Sequence, residues 1–180
     1  MSLPLRTLIC IAAAFVLAMT GVAQETTNEI KPPFNLTWGT PSETLERLLK
    51  GAKATIVQRR RLEGEREAWD VNGLVAQSGV KRTVFYFRRG ELVEVELQYQ
   101  KEDWDEAKYN DYMSQLRRVI EKRYGAGQQI VRRTEPEGEV METLVGYKWN
   151  LNNTAIELFY YSAQNPPNVF RTLSVHYKGY

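Results

Sequence analysis

The sequence predicts an α+β fold of two tandem αββββ repeats, joined into one antiparallel sheet with the helices packed on one face. Three observations carry that expectation. Two segments place apolar residues at helical spacing behind helix-start signals. The stretch after the first helix aligns without gaps on the stretch after the second, with eight identities in fifteen positions. The remainder alternates apolar and polar residues with a period of two between turn residues.

The chain opens on Arg6 and an apolar stretch from Leu8 to Met19, with no acid before it. Twelve residues are too few to span a bilayer, which needs about 20. Gly21-Val22-Ala23 offers small residues to a signal peptidase, so 1–23 reads as a secretory signal peptide. Its removal takes away Cys10, the only cysteine, and excludes disulfides and thiolate metal sites. An exported domain with no disulfide points to a periplasmic or secreted bacterial protein. No transmembrane segment is expected after cleavage. Residues 24–33, polar and closed by Pro32-Pro33, read as a flexible leader.

The single α+β domain is then 34–180, repeat one being 34–101 and repeat two 102–180. Phe34–Trp38 reads as a short strand. Thr40 is placed as a helix cap, Pro41 as the first helical residue and Glu43 as the partner in a capping box. Leu45, Leu48 and Leu49 form the apolar stripe. The second helix is expected from Asp103, with Tyr109, Tyr112, Met113, Leu116, Val119 and Ile120 recurring at helical spacing and Gly125 as its stop. Gly51-Ala52 matches Gly125-Ala126, Ile56-Val57 matches Ile130-Val131, Arg59 matches Arg133, and Glu63-Gly64-Glu65 matches Glu137-Gly138-Glu139. Each triplet marks a turn. In the first unit, Phe85 and Phe87 must share a face with Val93, Val95 and Leu97, which asks for a three-residue loop at Arg88-Arg89-Gly90. In the second, Asn152-Asn153 fits a two-residue turn, and Asn165-Pro-Pro-Asn168 breaks the chain before a last strand, Phe170–Tyr177.

Tandem units of one helix and four antiparallel strands in an exported chain resemble the β-lactamase inhibitor protein fold. They are also similar to small periplasmic helix-plus-sheet modules of outer-membrane assembly factors. The resemblance covers most of the chain after 23 and rests on element order and repeat length. It implies a protein-binding or scaffolding role through the open sheet face or its loops.

Composition narrows the chemistry. With 43% hydrophobic and 11% aromatic residues the chain can build a core, and a net charge of +2 gives no general reason to bind nucleic acid. No glycine-rich phosphate loop is present, the elements do not alternate strand and helix, and His176 is the only histidine. No cofactor and no metal site is therefore expected. By alternation, the face away from the helices carries Tyr86, Glu94, Glu96, Gln98, Lys148, Asn150, Glu157, Phe159, Tyr161, Thr172, Ser174 and His176. Aromatic rings among polar groups on an uncovered face suit protein binding. The leader or the loop Asn72–Val80 is the alternative cover for them.

Ser174 and His176 share a face two residues apart, but a dyad needs an orienting acid and an oxyanion hole, and no Gly-x-Ser-x-Gly elbow accompanies them. Glu94 and Glu96 lie about 7 Å apart along a strand, a spacing compatible with carboxylate chemistry and with any polar strand face. Arginine clusters at Arg59-Arg60-Arg61, Arg88-Arg89, Arg117-Arg118 and Arg132-Arg133 could hold anions, yet neighbouring acids nearly cancel them. The leading expectation is a non-enzymatic binding module whose contact residues are Tyr86, Glu94, Glu96, Phe159, Tyr161 and His176 and whose partner is another cell-envelope protein. The alternatives are an envelope hydrolase using Glu94, Glu96 or His176, and a binder of anionic envelope polymer using the arginines.

Overall fold

The computed structural model describes residues 29–74 and 79–180. The predicted signal peptide at 1–23, the predicted leader up to residue 28 and positions 75–78 of the loop Asn72–Val80 lie outside the described residues. The rest forms α1 (Ser42–Gly51), β1 (Thr55–Leu62), β2 (Arg66–Asn72), β3 (Val80–Arg88), β4 (Glu91–Tyr99), α2 (Glu106–Tyr124), β5 (Gln128–Glu137), β6 (Val140–Leu151), β7 (Thr154–Asn165) and β8 (Asn168–Gly179). All eight strands belong to one antiparallel sheet in the order β1-β2-β3-β4-β8-β7-β6-β5. The order reads the same outward from the β4–β8 seam, with β1 and β5 at the two edges.

Alternation selects one side of the sheet for the core. Trp69, Val71, Phe85, Phe87, Val95, Leu97, Trp149, Ile156, Leu158, Tyr160, Leu173 and Val175 are buried in one cluster, which also takes in Leu45 and Leu49 from α1 and Tyr109, Met113 and Ile120 from α2. Tyr109 packs on Tyr160 at 6.0 Å between ring centroids and donates to the Arg171 carbonyl at 3.2 Å. Trp69 meets Phe87 at 4.7 Å. Each fully buried ring contributes about 2–3 kcal/mol of transfer free energy.

The N-terminal segment differs from the expectation. Phe34–Trp38 is not a strand: Phe34 and Asn35 take positive φ, 65° and 56°, and the chain turns instead of extending. Its apolar residues serve as plugs. Ile30, assigned to the polar leader, is fully buried; its N–H donates to Thr154 Oγ1 and its carbonyl accepts from Trp38 Nε1.

The helix starts also differ. Pro41 is the N-cap of α1 with no side-chain cap, because Thr40 Oγ1 bonds the Thr37 carbonyl within the preceding turn. Asp105, not Asp103, caps α2 and accepts from the Lys108 N–H. Of the predicted stripes, Leu48 and Val119 are exposed.

The first-unit hairpin has a two-residue turn, Arg89-Gly90, with both φ angles positive (52° and 79°), the combination that matches strand twist. Parity is restored by a bulge: Tyr86 pairs with Glu94 and Phe87 with Leu92, leaving Val93 unpaired. Leu92 therefore enters the core where Val93 was expected. The Asn152-Asn153 turn is as expected, with Asn152 at φ 51°. Both Glu-Gly-Glu triplets lie at hairpin turns, β1–β2 and β5–β6.

Candidate binding face and its polar network

Strand register brings the sequence-selected residues together on the side opposite the core. Tyr86 pairs with Glu94, Glu96 with His176, and His176 in turn with Glu157. Phe159 pairs with Ser174 and Tyr161 with Thr172. The hairpin pairs are close in sequence, but the β4–β8 seam joins residues far apart, 82 positions at Glu94 and His176.

Hydrogen bonds then lock the polar members. His176 Nδ1 lies 2.8 Å from Glu94 Oε1, and Nε2 lies 3.0 Å from Ser174 Oγ. Glu96 accepts from the Tyr86 hydroxyl at 2.7 Å and from Gln98 Nε2 at 2.6 Å. Burial, and then the facing Glu96 carboxylate, push the Tyr86 hydroxyl well above its ordinary pKa, so it remains a donor. Arg82 grips Gln98 Oε1 with Nε at 2.9 Å and Nη2 at 2.7 Å. Asp70 sits between Arg60 at 3.1 Å and Arg82 at 3.4 Å. Glu157 is held by Lys178 at 2.6 Å and Lys148 at 3.1 Å. Burial opposes its charge, but the two ammonium groups outweigh that and hold the carboxyl below its usual value.

The charges are layered. The Asp70 and Glu157 side chains are 3% and 10% exposed, while Arg60 and Arg82 stand above them at 40% and 41%. Carboxylates form the floor, and guanidinium groups meet the solvent. The face is also dished. Val57 of β1 and Phe170 of β8 line one depression of about 500 Å³, together with Arg82, Glu96, Gln98, Thr172 and Ser174. Those two strands are four places apart in the sheet, about 19 Å if it were flat.

The aromatic residues are fitted into this surface. Phe159 meets His176 edge-on at 5.6 Å and lies across Gly146, where a Cβ would come within 2.6 Å of the ring. Tyr161 packs at a tilt against Phe170 at 6.2 Å, and its hydroxyl donates to Glu142. That bond raises the Tyr161 pKa.

The arginine clusters are dispersed by strand alternation. Arg59 reaches Glu46 and lies 4.3 Å over Trp69 on the core side, whereas Arg60 turns to Asp70 on the other. Arg89, Arg117 and Arg133 pair with Glu65, Glu121 and Glu135. Arg66, which reaches Glu94 at 3.5 Å, and Arg82, Asp70 and Lys178 were not singled out from sequence. The signal was present: applying to β2 and β3 the alternation that placed Tyr86 puts Arg66, Asp70 and Arg82 on the same face.

Comparison with protein-family models, curated proteins and solved structures finds no match. Among the described residues no helix is long and apolar enough to cross a membrane, and no group of three or more His, Cys, Asp and Glu side chains is arranged to hold a metal ion.

Proposed function

We propose that the protein is an exported binding module that acts in the cell envelope through the open face of its sheet. The observation that carries the reading is the assembly, on adjacent strands, of Tyr86, Glu94, Glu96, Phe159, Tyr161 and His176 into a pre-ordered surface. Side chains already fixed by mutual hydrogen bonds lose little entropy when a partner arrives. Phe159 and Tyr161 supply rigid rings beside them, the type of residue that anchors protein interfaces. The partner is another envelope protein.

In this reading two tandem helix-plus-four-strand units, 34–101 and 102–180, build the scaffold, and both helices cover the opposite face. The mirrored strand order and the paired Glu-Gly-Glu turns support it. The likeness of element order to the β-lactamase inhibitor protein fold supports a binding role, and the signal-peptide pattern supports export.

The test is photo-crosslinking in cells from a benzophenone side chain at Tyr161, with Lys122 on α2 as the control position. One discrete adduct from Tyr161 alone is expected. It should disappear in Phe159→Ala, while that variant's Tm falls by less than about 8 °C, equivalent to about 2 kcal/mol. Identical adducts from both positions, or none from Tyr161, refute the reading.

A further inference from the structure

Ser174, His176 and Glu94 form one hydrogen-bonded chain. Ser174 Oγ is 3.0 Å from His176 Nε2, and His176 Nδ1 is 2.8 Å from Glu94 Oε1. One tautomer satisfies both links: Nδ1 donates to Glu94, and Nε2 offers its lone pair to the serine hydroxyl. The second carboxylate near the ring, Glu96, lies 3.7 Å from Nε2, beyond hydrogen-bond reach, and accepts from Tyr86 and Gln98. It leaves Nε2 to Ser174. Nucleophile, base and orienting acid stand in the sequence that acyl transfer requires.

Acyl transfer also needs a donor for the oxyanion. Strand β8 is paired on both sides, with β4 and β7, so its backbone N–H groups near Ser174 belong to the ladder. The donor must be a side chain, and Gln98 lies directly opposite Ser174. Arg82 fixes the Gln98 amide through two bonds to Oε1. Gln98 Nε2 gives one hydrogen to Glu96 and has a second to give. A single pre-oriented amide donor of this kind is worth about 10²–10³ in rate in serine hydrolases. Ser174, Gln98 and Arg82 all line the depression of about 500 Å³, which leaves room for a substrate.

We infer that this face carries a serine-nucleophile site for short acyl esters of polar alcohols. Ser174 is the nucleophile, His176 the base and Gln98 the oxyanion donor, while Glu94 and Arg82 are positioning residues. The inference goes beyond the binding reading and does not depend on it. The short acyl group follows from the lining, where Val57 and Phe170 are the only apolar residues and, among polar side chains such as Asn72, Gln98, Gln100 and Thr172, offer a small apolar patch and no long apolar channel. Ser174 Oγ attacks the ester carbonyl; the Oγ–C bond forms, and the serine proton passes to Nε2. The C–O bond to the alcohol breaks as Nε2 protonates the leaving alkoxide. Water then attacks the acyl-serine and gives a proton to Nε2; the C–Oγ bond breaks as Nε2 passes that proton to Oγ, which releases the acid and restores the Ser174 hydroxyl.

The test treats the folded chain with a fluorophosphonate probe, which forms an Oγ–P bond and expels fluoride, and maps the adduct by mass spectrometry. Labelling at Ser174 is expected, absent in Ser174→Ala and slowed by about 10³-fold or more in His176→Gln. Glu94→Gln should slow labelling about tenfold or more and shift its pH profile; the charged groups that face His176 are Glu94 and Glu96 from β4, Glu157 from β7 and Lys178 on β8. Hydrolysis of p-nitrophenyl acetate should follow the same order. Ser174→Ala removes only a hydroxyl and keeps the fold, so an unchanged Tm accompanies its loss of labelling. The inference is overturned by no labelling of the folded chain above that of urea-unfolded protein, by adducts elsewhere than Ser174, or by equal rates in wild type and His176→Gln.

Discussion

Gly146 is the position where the open face depends most directly on the absence of a side chain. Its residue pairs with Phe159 on β7 and Val131 on β5, and a Cβ there would lie 2.6 Å from Phe159 Cε1 and 2.8 Å from Val131 Cγ1. An ordinary contact begins near 3.4 Å, so in Gly146→Ala the ring must move by about 0.8 Å. His176 stands edge-on to that ring and resists the movement. Overpacking of this kind costs about 1–3 kcal/mol. With a urea m-value of about 2 kcal/mol/M for a domain of this size, the midpoint should fall by about 0.5–1.5 M at constant m. The cost should shrink by at least about 1 kcal/mol when Gly146→Ala is made in a Phe159→Ala background, as a double-mutant cycle measures. A midpoint unchanged in the single variant, or a cost just as large without the ring, refutes the account of Phe159 as held down by the bare backbone beneath it.

Four other outcomes follow from the packing and charges. Ile30→Ala should lower stability by about 2–4 kcal/mol in urea unfolding, since the side chain is fully buried and its backbone ties the segment to Thr154 and Trp38. Asp70→Ala should cost about 1–2 kcal/mol by the same measurement, less than the loss of a fully buried pair, because Arg60 and Arg82 are exposed enough to turn to water. Glu157 has a folded-state pKa below its ordinary 4.5, so its contribution is complete above that value and is lost as the pH falls through the depressed one; Glu157→Gln should flatten the stability profile as the pH falls below 4.5. Tyr177, pushed up to about 12 chiefly by burial, contributes stability that is complete below pH 10 and lost as the pH rises through 12. A phenolate titration at 295 nm should lose the step near pH 12 in Tyr177→Phe.

Where the chain follows local chemistry, the sequence foretold it. Asn152 adopts the positive φ its side chain tolerates, and the Asn-Pro-Pro-Asn run turns where Pro must interrupt a ladder. The core side was legible because Val95, Leu97 and Val175 alternate with polar neighbours. The failures have definite causes. Phe34–Trp38 has strand composition, but its rings and Ile30 are consumed in plugging the sheet, and tertiary burial overrides propensity. The parity argument at Arg88-Arg89-Gly90 assumed a regular β4 and could not see the bulge at Val93. Tyr86, Glu94, Glu96, Phe159, Tyr161 and His176 were placed on one face by alternation alone. That Glu94 orients His176 was not legible, because the contact is diagonal across a seam between distant strands and requires the strand order.

The β4–β8 seam has a kinetic consequence. Every other strand pairing joins neighbours in the chain, so each meander can zip up through short closures. The seam joins Tyr99 to Leu173 across a span that costs about 4 kcal/mol of closure entropy, and it closes last. Glu94 and Glu96 stand on one bank, Ser174 and His176 on the other. A chain whose meanders have formed but not yet met is rich in β-structure and still lacks the surface on which its chemistry would be carried out.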